Sequence, residues 1–191
     1  MALQSISPSA QEAVSFAEAK AHIRVDSSDD DTLINSLILT AQLHIEAALG
    51  LALITQSWRL VLDCWPLGDT LEMPLRPLVS VAEIRLIDGE GGSEIIDAVN
   101  YSVDVASTVP RITSRSGYWP SPGARNNGIE IDFVAGYGEA ASAVPFPIRQ
   151  ALLMLIAHWY ENREPTAIGT SAARIPDTVS ALLQPYAVAK L

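Results

Sequence analysis

With 191 residues, of which 49% are hydrophobic, the chain is long and apolar enough to bury a core of its own without disulfides or metal ions. Its 22 acidic residues outnumber its 12 basic residues, which gives a formal net charge of −10. This balance argues against a protein that binds nucleic acid tightly, because binding to phosphates depends on clustered Lys and Arg.

The cysteine content and the N-terminal sequence indicate the compartment. The single cysteine, Cys64, excludes an internal disulfide framework and favours the reducing cytoplasm, and we expect it to be a small buried hydrophobe. The N-terminal sequence has neither the basic region nor the apolar run of a signal peptide, and the longest apolar run, ALLMLIA, is too short to cross a membrane. We therefore expect a soluble protein that is not exported.

Two helices are predicted in the N-terminal part. Ser15, with Glu18 three residues later, forms a capping-box pattern that predicts the start of a short helix. A second helix begins in an Asp-rich stretch and ends at Gly50. Its apolar residues recur at helical spacing at Leu33, Leu37, Ala41, Ile45 and Ala48.

The middle of the chain is predicted to be β structure. QSWRLVLD alternates apolar and polar residues from Gln56 onward, and VSVAEIRLID followed by GEGG predicts a strand and a turn. The clearest strand is GIEIDFVAGYG, in which the apolar and acidic residues face opposite ways. The apolar positions of that strand are Ile129, Ile131 and Phe133.

Helical patterns return after Pro145 and Pro147, with Pro147 suited to a first helical turn. IRQALLMLIAHWYENRE predicts a long packed helix, and PDTVSALLQPY predicts a short last helix interrupted by Pro185. The order predicts a single α+β domain over residues 1–191. Its helical core comprises 15–50 and 145–188, and the insertion at 56–138 forms a small antiparallel sheet.

The stretch HWYENREP raises the question of catalysis. His158 and Glu161 lie on one helix face and could share a proton or a metal ion, but no H-x-x-x-H or H-E-x-x-H spacing supplies further ligands. The chain also lacks a G-x-S-x-G elbow and a phosphate-loop pattern. We therefore predict no catalytic, cofactor or metal site. We interpret the stretch as the polar end of a packed helix, with Trp159 anchored in the core.

A series of short segments occurs in an order that resembles one protein family. The segments are EAKAHIRV, DDDTLINSLILTAQ, QSWRLVLD, PLVSV, SGYWP, FVAGYG, VPFPIRQA, HWYENRE and IPDTVSALLQPY. Together they extend over roughly residues 15 to 188. On these segments the chain resembles the head–tail connector (adaptor) family of tailed bacteriophages, prophages and gene transfer agents.

The resemblance implies a non-enzymatic protein of the virion neck, made in the host cytoplasm and free of cofactors. It implies a dodecameric ring, formed by the helical core, beneath the portal protein. A neck, stopper or tail-completion protein would bind the far side of the ring. DNA would pass through without sequence-specific binding, which an acidic channel would favour by repelling phosphates.

The candidate contacts with the portal or a neighbouring subunit lie at the end of the long helix and after it. They are Glu161, Arg163, Glu164, Ile168, Arg174, Ile175, Leu182, Leu183 and Tyr186. We expect the charged residues among them to form intersubunit ion pairs and the segment after Arg174 to contact the portal. Two alternatives stay open: another neck component, or a small cytoplasmic hydrolase that uses His158 with Glu161 or Asp132.

Overall fold

The computed structural model describes residues 1–162 and 175–188. The chain divides into two compact units. The first, called the strand unit below, comprises Met1–Ala10 and Gly50–Tyr137, and the second, called the helix unit, comprises Gln11–Leu49 and Gly138–Leu191. Helices combined with antiparallel sheets confirm the predicted α+β class.

The elements follow the predicted order of helices, strands and helices, preceded by one additional strand. The helices are α1 (Phe16–Ile23), α2 (Asp31–Leu49), α3 (Phe146–Glu161) and α4 (Asp177–Leu183). The strands are β1 (Ala2–Ser7), β2 (Gln56–Leu62), β3 (Thr70–Glu72), β4 (Leu78–Ile87), β5 (Ser93–Ile95), β6 (Tyr101–Asp104), β7 (Arg111–Ser114) and β8 (Ile129–Ala135). Short 3₁₀ turns occupy Ala98–Asn100, Ala141–Ala143 and Gln184–Tyr186.

The strand unit contains two antiparallel sheets, in the orders β1-β2-β8-β4-β5 and β3-β7-β6. The central strand β8 buries Ile129, Ile131 and Phe133, whereas Glu130 and Asp132 lie on its other face. This alternation confirms the sequence prediction for β8. Because β8 is paired on both edges, its buried side chains lie in the middle of the apolar core of the strand unit.

The sequence did not predict β1. This strand pairs with β2 from Ala2 opposite Val61 to Ser7 opposite Ser57, although most of its residues are exposed. Leu3 packs against the core of the strand unit. Backbone hydrogen bonds to β2, more than side-chain burial, hold β1 in place, and such a strand carries little apolar periodicity.

Helix α1 begins at the predicted capping box, which the structure confirms. Ser15 Oγ accepts a hydrogen bond from the Glu18 amide at 3.2 Å, and Glu18 Oε2 accepts one from the Ser15 amide at 2.9 Å. These bonds satisfy two amides that the first turn leaves without helical partners. The helix ends at Arg24, whose φ of 58° is left-handed and cannot continue α1.

The buried side of α2 differs in phase from the recurring positions in the sequence. The structure buries Ile34, Ile38, Ala41 and Ile45, while Leu33 and Leu37 are half buried and Ala48 is exposed. Apolar residues surround most of α2, so periodicity alone does not select the face. By length and composition α2 also passes as a membrane span, but this is weak evidence because core helices of water-soluble proteins pass the same test.

The long helix α3 organises the helix unit by packing against α1, α2 and α4. Its apolar residues Ile148, Leu152, Leu155 and Ile156 are buried, and Trp159, expected to anchor in the core, is half buried. Pro147 lies in the first turn, as predicted, where its missing N–H breaks no helical hydrogen bond.

Candidate functional site

An apolar groove of about 330 Å³ adjoins the predicted portal-contact segment. It lies between the C-terminal half of α2, the middle of α3 and α4, and its walls include Ala48, Leu155 and Leu183. Val179 is only 2% exposed, so its buried side chain packs the short helix α4 against the rest of the helix unit. A groove of this kind suits an apolar side chain better than a charged ligand.

The structure places part of the predicted contact set beside this groove. Ile175 and Leu183 line it, and Leu182 and Tyr186 are half buried nearby in sequence. Glu161 is exposed at the last position of α3. The remaining predicted residues, Arg163, Glu164, Ile168 and Arg174, lie outside the described residues.

Residues 158–161 of the HWYENREP stretch form the end of α3, and Asn162 follows them. The amide and the Nδ2 of Asn162 donate to the His158 carbonyl at 3.0 and 2.8 Å, which closes the last turn. Trp159 meets the ring of His44 edge to face, with centroids 5.7 Å apart, and Tyr160 Oη donates to Asp30 at 2.5 Å. These contacts tie α3 to the start and the end of α2.

An ion pair and a hydrogen bond from Arg149 join α1 and the residues before it to α3. The guanidinium of Arg149 forms an ion pair with Glu18 and donates to the Ala13 carbonyl at 3.3 Å. Hydrogen bonds from Ser15, together with Arg149, hold the pKa of Glu18 below its ordinary value. The capping carboxylate of α1 therefore also anchors the long helix.

The polar face of the five-stranded sheet carries an ion-pair network that sequence reasoning missed. Arg59 on β2 donates to both carboxylate oxygens of Asp132, at 2.7 and 2.8 Å. Arg85 on β4 bridges Glu83 and Asp132, at 2.5 and 2.9 Å, and Glu130 lies within 3.2 Å of both guanidiniums. Since Glu83 and Asp132 are directly opposite each other, the arginine between them offsets a like-charge pair.

The network shifts the protonation equilibria of its members. The hydrogen bond from Arg59 is the main cause that lowers the pKa of Asp132, against a burial effect that raises it. The same bond raises the pKa of Arg59. Both groups therefore stay charged at neutral pH.

Aromatic stacking holds the loop after β7. The rings of Trp65 and Trp119 are stacked with centroids 4.1 Å apart, and their Nε1 atoms donate to the carbonyls of Pro120 and Asp69 at 2.8 and 2.9 Å. Trp119 thus folds against the unit, whereas Tyr118 is 69% exposed. Cys64, next to Trp65, is exposed, so the expectation that it is buried was wrong: the chain has already left β2 at this point.

Comparisons with known proteins identify the fold. A sequence profile described as phage gp6-like head-tail connector protein matches residues 14–87, which run from just before α1 to the end of β4. Curated protein sequences give no significant match. The chain is similar to solved structures of the neck of an empty GTA particle computed with C6 symmetry (30% identity, TM-score 0.85) and of the virion of a native gene transfer agent particle (28%, 0.85).

A further similar structure is the neck of a native GTA particle computed with C12 symmetry (28% identity, TM-score 0.83). Each of these three matches covers 100% of this chain and 97% of the other. The shared fold, over the full chain, defines a structural protein of the virion neck. The chain belongs to the phage gp6-like head–tail connector family, which confirms the resemblance seen in its sequence.

Proposed function

We propose that copies of this chain form a dodecameric ring that binds the portal protein on one side and the next neck protein on the other. The observation that supports this proposal is the full-length similarity to gene transfer agent necks, one of them computed with C12 symmetry. The ring is closed by contacts between two different faces of each subunit, as cyclic assembly requires.

DNA passes through this ring without sequence-specific binding. The net charge of −10 repels phosphates, and the arginines of the sheet face are already paired. Arg59 and Arg85 are held by Asp132 and Glu130, and Arg149 of the helix unit is held by Glu18. A DNA phosphate would have to displace these carboxylates to bind the arginines, which lowers the affinity of the protein for the DNA backbone.

The protein acts by binding and not by catalysis. Within the described residues, no hydrogen bond joins His158 to Glu161, and the hydrogen bond of the Asn162 side chain to the His158 carbonyl belongs to the helix end. The carboxylate of Asp132, the other acid considered for a hydrolase, is held by two arginines. Nothing in this arrangement favours the hydrolase over the connector.

The portal contact is formed by the segment after Arg174 and by the apolar groove beside it. Ile175, Leu182 and Tyr186 are half buried in the free chain, so a partner can still cover part of their surface. Glu161 is exposed at the end of α3 and is available for an ion pair with a neighbouring subunit. Arg163, Glu164, Ile168 and Arg174 belong to the same proposed contact set.

Electron microscopy of the purified protein, with and without the portal protein of the same particle, tests the proposal. Rings, or a monomer that becomes a ring when portal is added, are the expected result. A monomer that ignores portal would overturn the proposal, and binding only to a preformed portal–connector complex would indicate another neck component.

A variant locates the contact. Tyr186→Ala is expected to weaken portal binding by about tenfold or more, because large aromatic residues dominate protein interfaces. Tyr118→Ala, which removes an exposed tyrosine from the strand unit, is the matched control and is expected to bind portal as the wild type does. Equal binding by both variants would exclude Tyr186 from the contact.

A further inference from the structure

The side of α2 that points away from the core of the helix unit is exposed, and Glu46 borders it one helical turn from Leu43. We call it the outer face of α2; it is formed by Thr32, Ser36, Leu39, Thr40, Leu43 and Ala47. Its two leucines lie one helical turn apart and are 51% and 55% exposed. The residues on the opposite side of the helix, such as Ile38 and Ile45, are fully buried.

The composition of α2 does not match its burial in a single subunit. A helix that is apolar nearly all round is normally covered on all sides. However, only 28% of the most apolar 18-residue window of α2 is buried. Two large exposed hydrophobic residues on neighbouring turns, Leu39 and Leu43, favour a surface that binds another molecule.

A second face lies on α3, and it ends at the exposed Glu161, one helical turn after Ala157. It is formed by Phe146, which is 72% exposed, and by Gln150, Leu153 and Ala157, which are half buried. We call it the outer face of α3. Because α2 and α3 pack against each other through their buried sides, their outer faces point away from each other.

We infer that the outer face of α2 in one subunit packs against the outer face of α3 in the next copy of the chain. The inference rests on the proposed ring and names its lateral contact. A head-to-tail ring needs two different surfaces that point in different directions on each subunit, and these two helix faces meet that requirement.

Charge favours a second copy as the occupant. Each subunit carries a net charge of −10, so copies of the chain repel one another unless they meet through uncharged surfaces. The outer faces of α2 and α3 bring together two surfaces that carry few charges, with Glu46 and Glu161 at their borders. A symmetric neck such as the C12 relative brings copies of one chain side by side.

Replacing both leucines of the α2 outer face with glutamate tests the inference. Leu39→Glu/Leu43→Glu is expected to lower the population of rings formed with portal by about tenfold or more, because two carboxylates without partners would be buried against the outer face of α3. Size-exclusion chromatography with light scattering separates rings from monomers. Leu67→Glu, at a fully exposed position of the strand unit, is the matched control and is expected to form rings as the wild type does.

The outcomes separate this inference from the proposed function. If the wild type forms no rings with portal, the proposed function fails, whatever α2 does. If the wild type forms rings and the double variant forms them equally well, the function stands and the inference is overturned. Circular dichroism checks that the double variant keeps its helices. We expect it to do so, because Leu39 and Leu43 are exposed in the single subunit.

Cross-linking provides a second test that does not depend on the glutamate variant. Leu43→Cys combined with Gln150→Cys, in a Cys64→Ser background, places one thiol on each outer face. Oxidation of assembled rings is expected to give a ladder of covalent multimers, whereas either cysteine alone gives none beyond dimers. Intact rings that yield no ladder in the paired variant would overturn the α2–α3 contact.

Discussion

Replacing Asp132 with Asn measures what the ion-pair network contributes to the stability of the strand unit. The carboxylate accepts hydrogen bonds from Arg59 at 2.7 and 2.8 Å and from Arg85 at 2.9 Å, and its side chain is 15% exposed. Asparagine keeps the shape of the side chain but removes the charge. The substitution therefore weakens the bonds without opening a cavity.

The expected magnitude follows from what remains after the change. A hydrogen bond to a charged group contributes about 1.5–3 kcal/mol. Glu130 still holds both arginines, at 3.2 and 3.0 Å, and the asparagine oxygen can still accept a hydrogen bond. We expect a net loss of about 2 kcal/mol, which lowers the Tm by about 4–8 °C for a chain of this length.

The effect depends on pH in a defined direction. The arginines lower the pKa of Asp132 in the folded state, so its contribution is fully present above the unfolded-state pKa of about 3.9. The contribution is lost as the pH falls through the folded-state pKa. The difference in stability between wild type and Asp132→Asn is therefore largest near neutral pH and shrinks in acid.

Urea denaturation followed by tryptophan fluorescence measures the change, because Trp58, Trp65 and Trp119 lie in the strand unit. Glu94→Gln on the exposed strand β5 is the control, since it removes one negative charge from an acidic chain without touching the network. A variant as stable as this control at neutral pH would refute the reasoning. So would a difference that stays constant down to about pH 3.

Substitutions at three further positions test the packing and the cap of α1. Phe133→Ala, at the centre of the strand unit, is expected to lower the free energy of unfolding, measured in urea, by about 3–5 kcal/mol. Phe133→Leu leaves a smaller cavity and is expected to lower it by clearly less. Equal losses would show that cavity size is not the cause. Ser15→Ala removes the α1 cap and is expected to cost about 1 kcal/mol in the same assay, whereas an unchanged midpoint would mean that Arg149 suffices to hold α1. Trp119→Phe loses the hydrogen bond to the Asp69 carbonyl and part of the stacking on Trp65. It is expected to lower the free energy of unfolding by about 1–2 kcal/mol and to change the near-ultraviolet circular dichroism spectrum. An identical spectrum would contradict the stacked geometry.

Local chemistry made several features predictable. The capping box at Ser15 and Glu18, Pro147 in the first turn of α3 and the alternation of Ile131 with Asp132 each depend on neighbours within four residues. Such signals are written in consecutive residues, so the sequence alone reveals them. The ordered segments also revealed the connector family.

Other features depend on contacts between distant residues. Arg59 and Asp132 are 73 positions apart in the sequence. The alternation of each strand predicts that both residues lie on a polar face. It does not predict that the two strands are neighbours with both side chains on the same face of one sheet. The exposed strand β1 is held by its pairing with β2, so its own residues gave no signal. The residues that contact the portal stay a prediction.

The sequence by itself determined the types and order of most elements, the acidic charge and the family, because these depend on residue identity and short-range periodicity. Only the tertiary structure decided which side of α2 is buried and which strands are neighbours. The physical reason is that α2 is apolar nearly all round: several faces could enter a core, and the one that does is selected by the shape of α3 packed against it. The same selection leaves Leu39 and Leu43 exposed on the outer face of α2.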